Sequence, residues 1–449
     1  MIQLTPPVAA AAGAIAGLLV WLYLFYWSKA PARFERLVAG VVCIGLLCRI
    51  VFAIFTPTFH APDEQAHFNY VKYLYVHYSF PVQHSKTDAA TNDWEYYQPP
   101  LYYILCLPFY WIASDISGSN DQNVVRSLRF LSIILWTINI YFTRRLLDKL
   151  RMKTIFARSF VLCMVGLLPT YTTLSSSINN DNLLITLGGP ILYLLSRRIT
   201  IEVSVYLGIL LGAALMTKLT GVIYIFAFNA ILITHYGVGK LSLSATVIRF
   251  LAATLITSLI WLPWGMRNLS LYGDLTGEKV ANIPYRWESL SEAAQSIMGY
   301  MARSFSSVAV IHNNIVFLPI VGFLLVGLVF VGVFYETFQV FRSSERGHIW
   351  CEKRLYILIM ALAIIVNVLL ILRFGFLYNQ GQGRFLYPML IPISVFMATA
   401  IKSIFDTKKA YVHAIGLLVS YLLSFTGFSL AVFYTVHPFV LTQRDVTFP

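Results

Sequence analysis

The segment His60-Ala-Pro-Asp-Glu-Gln-Ala-His67-Phe sits where a hydrophobic stretch ends, in a chain that is 58% apolar and only 12% charged. Two adjacent carboxylates, Asp63 and Glu64, are costly to desolvate at the lip of a membrane span, so their presence asks for a reason beyond solubility. Pro62 lacks the amide hydrogen that a helix start leaves unpaired and is a good first helical residue. Both acids then fall in the first turn, where the helix dipole favours their ionised form. Asp63 and His67 are four apart and share a face, whereas Glu64 points about 100° away, so one carboxylate faces a site. That carboxylate has the chemistry of a general base; an acidic pair that only caps a helix would have the same residue types. His60, Glu64 and His67 suit a divalent metal by type, but their spacing matches no strong zinc signature. His67 reads more naturally as a hydrogen-bond partner that orients a carboxylate, and Lys72 as an interfacial side chain.

A second acid lies in Ser175-Ser-Ser-Ile-Asn179-Asn180-Asp181-Asn182, where hydroxyls and amides surround one carboxylate. Such a stretch caps the next helix, or it contacts sugar hydroxyls or an acceptor. Arg49, Lys218, Arg267, Arg286, Arg373 and Arg384 abut apolar spans or fall within one, where a cation is expensive unless it meets an anion, and phosphate is the obvious partner. Arg384 stands in Tyr378-Asn-Gln-Gly-Gln382-Gly-Arg384-Phe-Leu-Tyr387-Pro. The glycines there would let the backbone approach a ligand, and the guanidinium can grip phosphate with two donors.

The elements that must position these residues are membrane helices. Mean hydropathy is +0.70, and many apolar runs approach the length that crosses about 30 Å of hydrocarbon, which excludes a soluble protein. The net charge of +13 would suit nucleic acid, but its distribution argues for orientation in a membrane instead. Basic clusters at Lys29/Arg33/Arg36, Arg144 to Arg158, Arg197/Arg198, Lys240/Arg249, Arg342 to Arg354 and Lys402/Lys408/Lys409 mark cytoplasmic loops. They alternate cleanly with about twelve spans, near 8–27, 37–57, 124–143, 155–173, 182–196, 203–217, 220–235, 246–264, 315–335, 355–373, 386–402 and 411–436, leaving both termini outside. The expectation is an all-α polytopic protein, 1–449 forming a single transmembrane domain. Its first outer loop, 58–123, carries helices over 62–77 and 100–113 that lie along the interface among Trp94, Tyr96, Tyr97, Tyr102, Tyr103 and Trp111. The five cysteines are placed for neither an external disulfide nor a metal cage, and no P-loop is present.

Taken together, Pro62-Asp63-Glu64-Gln-Ala-His67-Phe68, Gln98-Pro-Pro-Leu-Tyr-Tyr103, Asn179-Asn-Asp181-Asn182-Leu, Thr217-Lys218-Leu-Thr-Gly221, Arg267-Asn268-Leu-Ser-Leu-Tyr-Gly273-Asp274 and Gln382-Gly-Arg384-Phe-Leu-Tyr-Pro388 give the chain a family resemblance. It resembles the GT-C membrane glycosyltransferases, most closely the branch of protein O-mannosyltransferases, aminoarabinose transferases and allied uncharacterised bacterial membrane proteins. Order and spacing hold over most of residues 40–390. The resemblance implies a polyprenyl-phosphate-linked sugar as donor, inversion at the anomeric carbon, and a first-loop carboxylate as base, which maps to Asp63. Glu64 and His67 accompany it as catalytic residues. Tyr103, Asn180, Asp181, Lys218, Arg267, Gln382 and Arg384 are implied as substrate-binding.

The implied setting is the bacterial inner membrane with the site facing the periplasm. No cofactor is required, though a divalent metal bridging Glu64 and phosphate is compatible with the residue types; nucleic acid is excluded as a partner. The sequence departs from the family by an extra apolar stretch ahead of the motif and by lacking a large C-terminal periplasmic domain. The acceptor, a glycan, lipid or protein, therefore stays open. The rival reading is a transporter or flippase for a polyprenyl-linked or anionic solute, which would place polar residues at the membrane midplane rather than on one side.

Overall fold

A computed structural model describes residues 31–84, 93–117, 120–152, 154–281, 286–305, 319–344, 352–404 and 416. The expected spans at 8–27 and 411–436 lie outside these. Among the described residues the chain is helical without strands: α1 Pro31–Phe55, α2 Glu64–His77, α3 Leu101–Ser117, α4 Asp121–Lys149, α5 Ile155–Leu167, α6 Pro169–Leu174, α7 Asp181–Leu195, α8 Ile201–Leu215, α9 Val222–Gly237, α10 Leu243–Tyr272, α11 Glu278–Ala281, α12 Leu290–Ser304, α13 Pro319–Ser344, α14 Glu352–Tyr378 and α15 Leu390–Ile404. Short 3-10 turns at Leu219–Gly221 and Gly383–Met389 precede α9 and α15.

Seven of the described helical segments are long and apolar enough to cross a membrane, and α3, α5, α7 and α8 are shorter apolar helices. This is an integral membrane protein. The expected spans fall on helices one for one wherever they are described, with 155–173 split into α5 and α6 where Pro169 follows Leu168. That proline starts α6 because it cannot continue the α5 hydrogen-bond ladder. Leu251, Leu255 and Leu259 form an exposed stripe along α10 at four-residue spacing, the lipid-facing side of a helix whose other face packs on α8.

Two buried clusters organise the interior. The larger runs through α1, α4, α5, α7, α9, α14 and α15. The smaller joins Phe68, Tyr70 and Val71 of α2 to Tyr102, Tyr103 and Cys106 of α3 and to Val124 and Leu128 of α4. This second core seats the first-loop helices on the bundle and buries Tyr102 and Tyr103 completely, so these two rings pack against protein and not along the interface as the sequence suggested. Sequence reading did not foresee α12. Its Ser289 cap accepts from the Glu292 amide, and the Glu292 carboxylate accepts from the Glu288 amide, a Ser-x-x-Glu start signal that was legible in retrospect.

Candidate active site

At the head of α2 the structure alters one detail of the sequence reading. The helix begins at Glu64, and Asp63 is its N-cap in the left-handed region, with φ 60°. Pro62 is therefore outside the helix. A non-glycine residue held at positive φ is strained by roughly 1–2 kcal/mol, and aspartate is among the residues that tolerate it best. The turn separates the two acids completely.

Glu64 is buried against Arg129 of α4, with Arg129 Nε donating to Oε1 at 2.8 Å and Nη2 to Oε2 at 2.6 Å. The amides of Ile178 and Phe59 donate to the same carboxylate, at 3.2 and 3.1 Å. The remaining Arg129 donors go to the carbonyls of Ala53, Thr56 and Pro57. Every N–H of this guanidinium is thus used, and the pair ties the end of α1, the start of α2, α4 and the 175–182 turn into one joint. Glu64 faces protein and does not line the cavity described next, so it is placed as a positioning residue. Arg129 was not singled out in the sequence.

Asp63 faces the other way, into a cavity of about 380 Å³. Arg384 Nη2 donates to its Oδ2 at 2.6 Å, while Nε and Nη1 of the same guanidinium are buried without a partner. Lys218 lines the cavity too, and its Nζ donates to Asp181 Oδ1 at 2.5 Å. Both cations lie 5.5 Å from the centre of the Phe385 ring, which holds them on one side. Leu370, Ile371 and Phe374 of α14 form an apolar wall. Burial by itself would raise the Asp63 carboxyl, but Arg384, with Lys218 beyond it, holds it below the usual carboxylate range. Asp63 is consequently ionised at neutral pH, as a proton acceptor must be.

His67 lies near enough to Asp63 to feel its charge, and its Nδ1 lies 3.0 Å from the Tyr103 hydroxyl. Burial pushes this imidazole down to about 3, so it is neutral and orients rather than transfers protons. Tyr103 stacks on Tyr70 at 3.8 Å and does not line the cavity. His60 Nδ1 faces the Thr58 carbonyl at 3.2 Å. His60, Glu64 and His67 thus do not converge, and no metal-binding group of three His, Cys, Asp or Glu side chains occurs among the described residues. The set does not fit a divalent ion bridging Glu64 and phosphate.

The 175–182 turn is buried, and most of its polar groups serve the fold. Arg49 Nε donates to Ser175 Oγ at 2.7 Å, the Asn179 amide to the Tyr102 hydroxyl at 3.0 Å, and Asn182 Nδ2 to Ser132 at 3.0 Å. Asn180 Oδ1 and Asp181 Oδ2 are enclosed without a partner. Arg49 itself lies over the Trp136 ring at 3.8 Å, a structural cation rather than a phosphate ligand.

Two further residues are elsewhere than the sequence suggested. Arg267 donates to the Pro81 carbonyl at 2.6 Å and covers Trp264 at 4.5 Å, so it fastens the first loop to α10 and does not line the cavity. Gln382 stands at the start of the 383–389 turn without a side-chain capping bond and does not line the cavity, while Gln380 does. The flanking glycines answer to packing, not to a ligand: a Cβ on Gly383 would stand 2.4 Å from the Phe305 nitrogen and one on Gly381 2.5 Å from Ile297. Lys72 pairs with Asp121 at 3.0 Å.

Sequence reading missed Glu95, which lines the cavity with one enclosed oxygen, Oε2, lacking a partner. Its signal was an acid embedded in Trp94-Glu-Tyr-Tyr-Gln98-Pro-Pro, where the aromatic residues drew the attention.

No family model matches the sequence, and no curated protein matches it significantly. Among solved structures the chain is similar to ArnT from Cupriavidus metallidurans. The apo state matches at TM-score 0.57 and 11% identity, covering 91% of this chain and 79% of that one. The form bound to undecaprenyl phosphate matches at TM-score 0.54 and 12% identity, with the same coverage. The Archaeoglobus fulgidus oligosaccharyltransferase in its apo form aligns at TM-score 0.49 and 12% identity, over 92% of this chain and 58% of that one. The chain shares the transmembrane fold of ArnT, a fold in keeping with the one the sequence resemblance implied.

Proposed function

We propose that this protein is a GT-C-type glycosyltransferase that moves a sugar from a polyprenyl-phosphate donor to an acceptor hydroxyl on the outer face of the membrane, with inversion. The observation that carries this reading is Arg384. One arm of its guanidinium holds the Asp63 carboxylate while two buried donors have no partner beside the cavity. A phosphate is the ligand that such a fork completes. The apolar α14 wall offers a polyprenyl chain a path to the phosphate, and ArnT, whose fold the chain shares, has been solved with undecaprenyl phosphate bound.

Asp63 takes the proton from the acceptor O–H, and that oxygen attacks the anomeric carbon from the face opposite the phosphate. The bond from this carbon to the phosphate oxygen breaks, its electron pair staying on the phosphate, where Arg384 and Lys218 stabilise the growing charge. A single displacement inverts the centre. The acids and cations of the site gather where α2 and the 383–389 turn begin and where α14 ends, at one end of the membrane helices. Such sidedness suits a transferase better than a midplane transport site.

The test is release of polyprenyl phosphate from a panel of polyprenyl-phosphate sugars by the purified protein with a mixed acceptor pool. Sugar-dependent release that Asp63→Asn abolishes supports the reading. Movement of labelled lipid across liposomes without sugar transfer refutes it.

A further inference from the structure

Glu95 has no part in the reaction written above, yet it lines the same cavity. The two cations of the lining each hold another carboxylate, Arg384 that of Asp63 and Lys218 that of Asp181. The groups whose charges act on it are Asp63 at the head of α2, Asp181 at the head of α7, Lys218 and Arg384. The Tyr103 hydroxyl on α3 also feels it, and Asp93 and Glu278 line the cavity as well. The lining contains four carboxyl groups and two cations. An anionic phosphodiester entering such a space is repelled by each carboxylate that stays ionised, and the low dielectric of a half-closed cavity strengthens that repulsion.

We infer that Glu95 acts as a neutral carboxylic acid that donates a hydrogen bond to the phosphodiester of the lipid-linked sugar, an inference that rests on the glycosyl-transfer reading of this cavity. Burial, and after it the nearby Asp63 carboxylate, pushes the Glu95 carboxyl up to about 8. At neutral pH it therefore holds its proton. In that form it adds an O–H donor to those of Arg384 and adds no negative charge. Once ionised it can only accept, and it repels the phosphate. Ligand binding and the Glu95 proton are then linked, and affinity falls as pH rises past the value at which the empty site loses that proton.

The experiment is calorimetric binding of a short-chain polyprenyl phosphomannose, a diester whose single charge is constant over the range, to the full chain in nanodiscs between pH 6.5 and 9.5. The wild type is expected to lose affinity by about tenfold per pH unit above pH 8, or roughly thirtyfold at pH 9.5. Glu95→Gln keeps an uncharged donor, so it should bind within about threefold of wild type at pH 7 and hold that affinity to pH 9.5. A flat wild-type curve, or an equal fall in both proteins, overturns the role of Glu95 and leaves the phosphodiester site standing. Absence of binding by either protein at any pH overturns the transferase reading and this inference with it. Should Glu95→Gln fail to fold, the wild-type curve decides together with infrared spectroscopy. A protonated-carboxyl band present at pH 7 and lost by pH 9.5 is expected, and its absence at pH 7 refutes the inference.

Discussion

Glu64→Gln preserves the shape of a buried side chain and removes its charge. In the wild type the carboxylate is 0% exposed and its partner Arg129 1% exposed, and the two oxygens accept four hydrogen bonds, two from Arg129 and two from backbone amides. A glutamine oxygen can still accept from Arg129 Nε and the Ile178 amide, but its NH2 group then confronts Arg129 Nη2 and the Phe59 amide, donor against donor. The guanidinium is left as an uncompensated charge in the protein interior, a change that costs about 3–5 kcal/mol, or a hundredfold to several thousandfold in the folding equilibrium. Unfolding in mixed detergent micelles measures this directly. Adding Arg129→Met removes the orphaned charge, so the double variant should be more stable than Glu64→Gln alone. Stability of the single variant within about 1 kcal/mol of wild type would refute the account of this joint, as would strict additivity of the two substitutions.

Asp63→Asn keeps the left-handed cap but leaves Arg384 without its anion, so it should fold with a lowered stability, yet lose transfer by about 10²- to 10⁴-fold through loss of the base; turnover assayed beside a thermal-shift measurement separates the two. Arg384→Lys keeps the charge but loses the fork, so it should weaken polyprenyl-phosphate binding measurably and Arg384→Ala more so, whereas unchanged binding in both removes Arg384 from the phosphate site. His67 stays neutral down to about pH 3 in the folded protein while it titrates near its ordinary 6.5 when unfolded. Below 6.5 the unfolded chain binds the extra proton, so stability is retained above that pH and lost as pH falls towards 3, by about 1.4 kcal/mol per unit from this group. His67→Gln should flatten that part of the stability profile, and the activity of the wild type should show no inflection near pH 6.5.

Hydropathy located each described span, but Asp63 and Glu64 are parted by the left-handed turn at Asp63, outside the helix, and not by the helical periodicity that the sequence suggested. What the spacing could not reveal was the partner of each charge. Arg129 lies 65 residues from Glu64 and Arg384 lies 321 from Asp63, separations that only the packed bundle closes. The same holds for Gly381 and Gly383, whose pattern suggests ligand access until α12 appears against them. Arg267 read as a phosphate cation because any guanidinium at a span's end does; its tryptophan partner stands one turn earlier on α10, but the Pro81 carbonyl comes from the first loop, which no local pattern joins to that helix. Glu95 escaped notice because its significance lies in the cavity it lines, which only the packed bundle forms.

The most direct test of the central claim is an electron cryomicroscopy structure of Asp63→Asn protein in nanodiscs with a polyprenyl-phosphate sugar bound. The account predicts phosphate oxygens within about 3.2 Å of Arg384 and Lys218, the lipid chain along Leu370 and Phe374, and the anomeric carbon facing position 63. A phosphate density at the opposite ends of α14 and α15, or at mid-bundle with the cavity beside Asp63 lacking sugar, would contradict it.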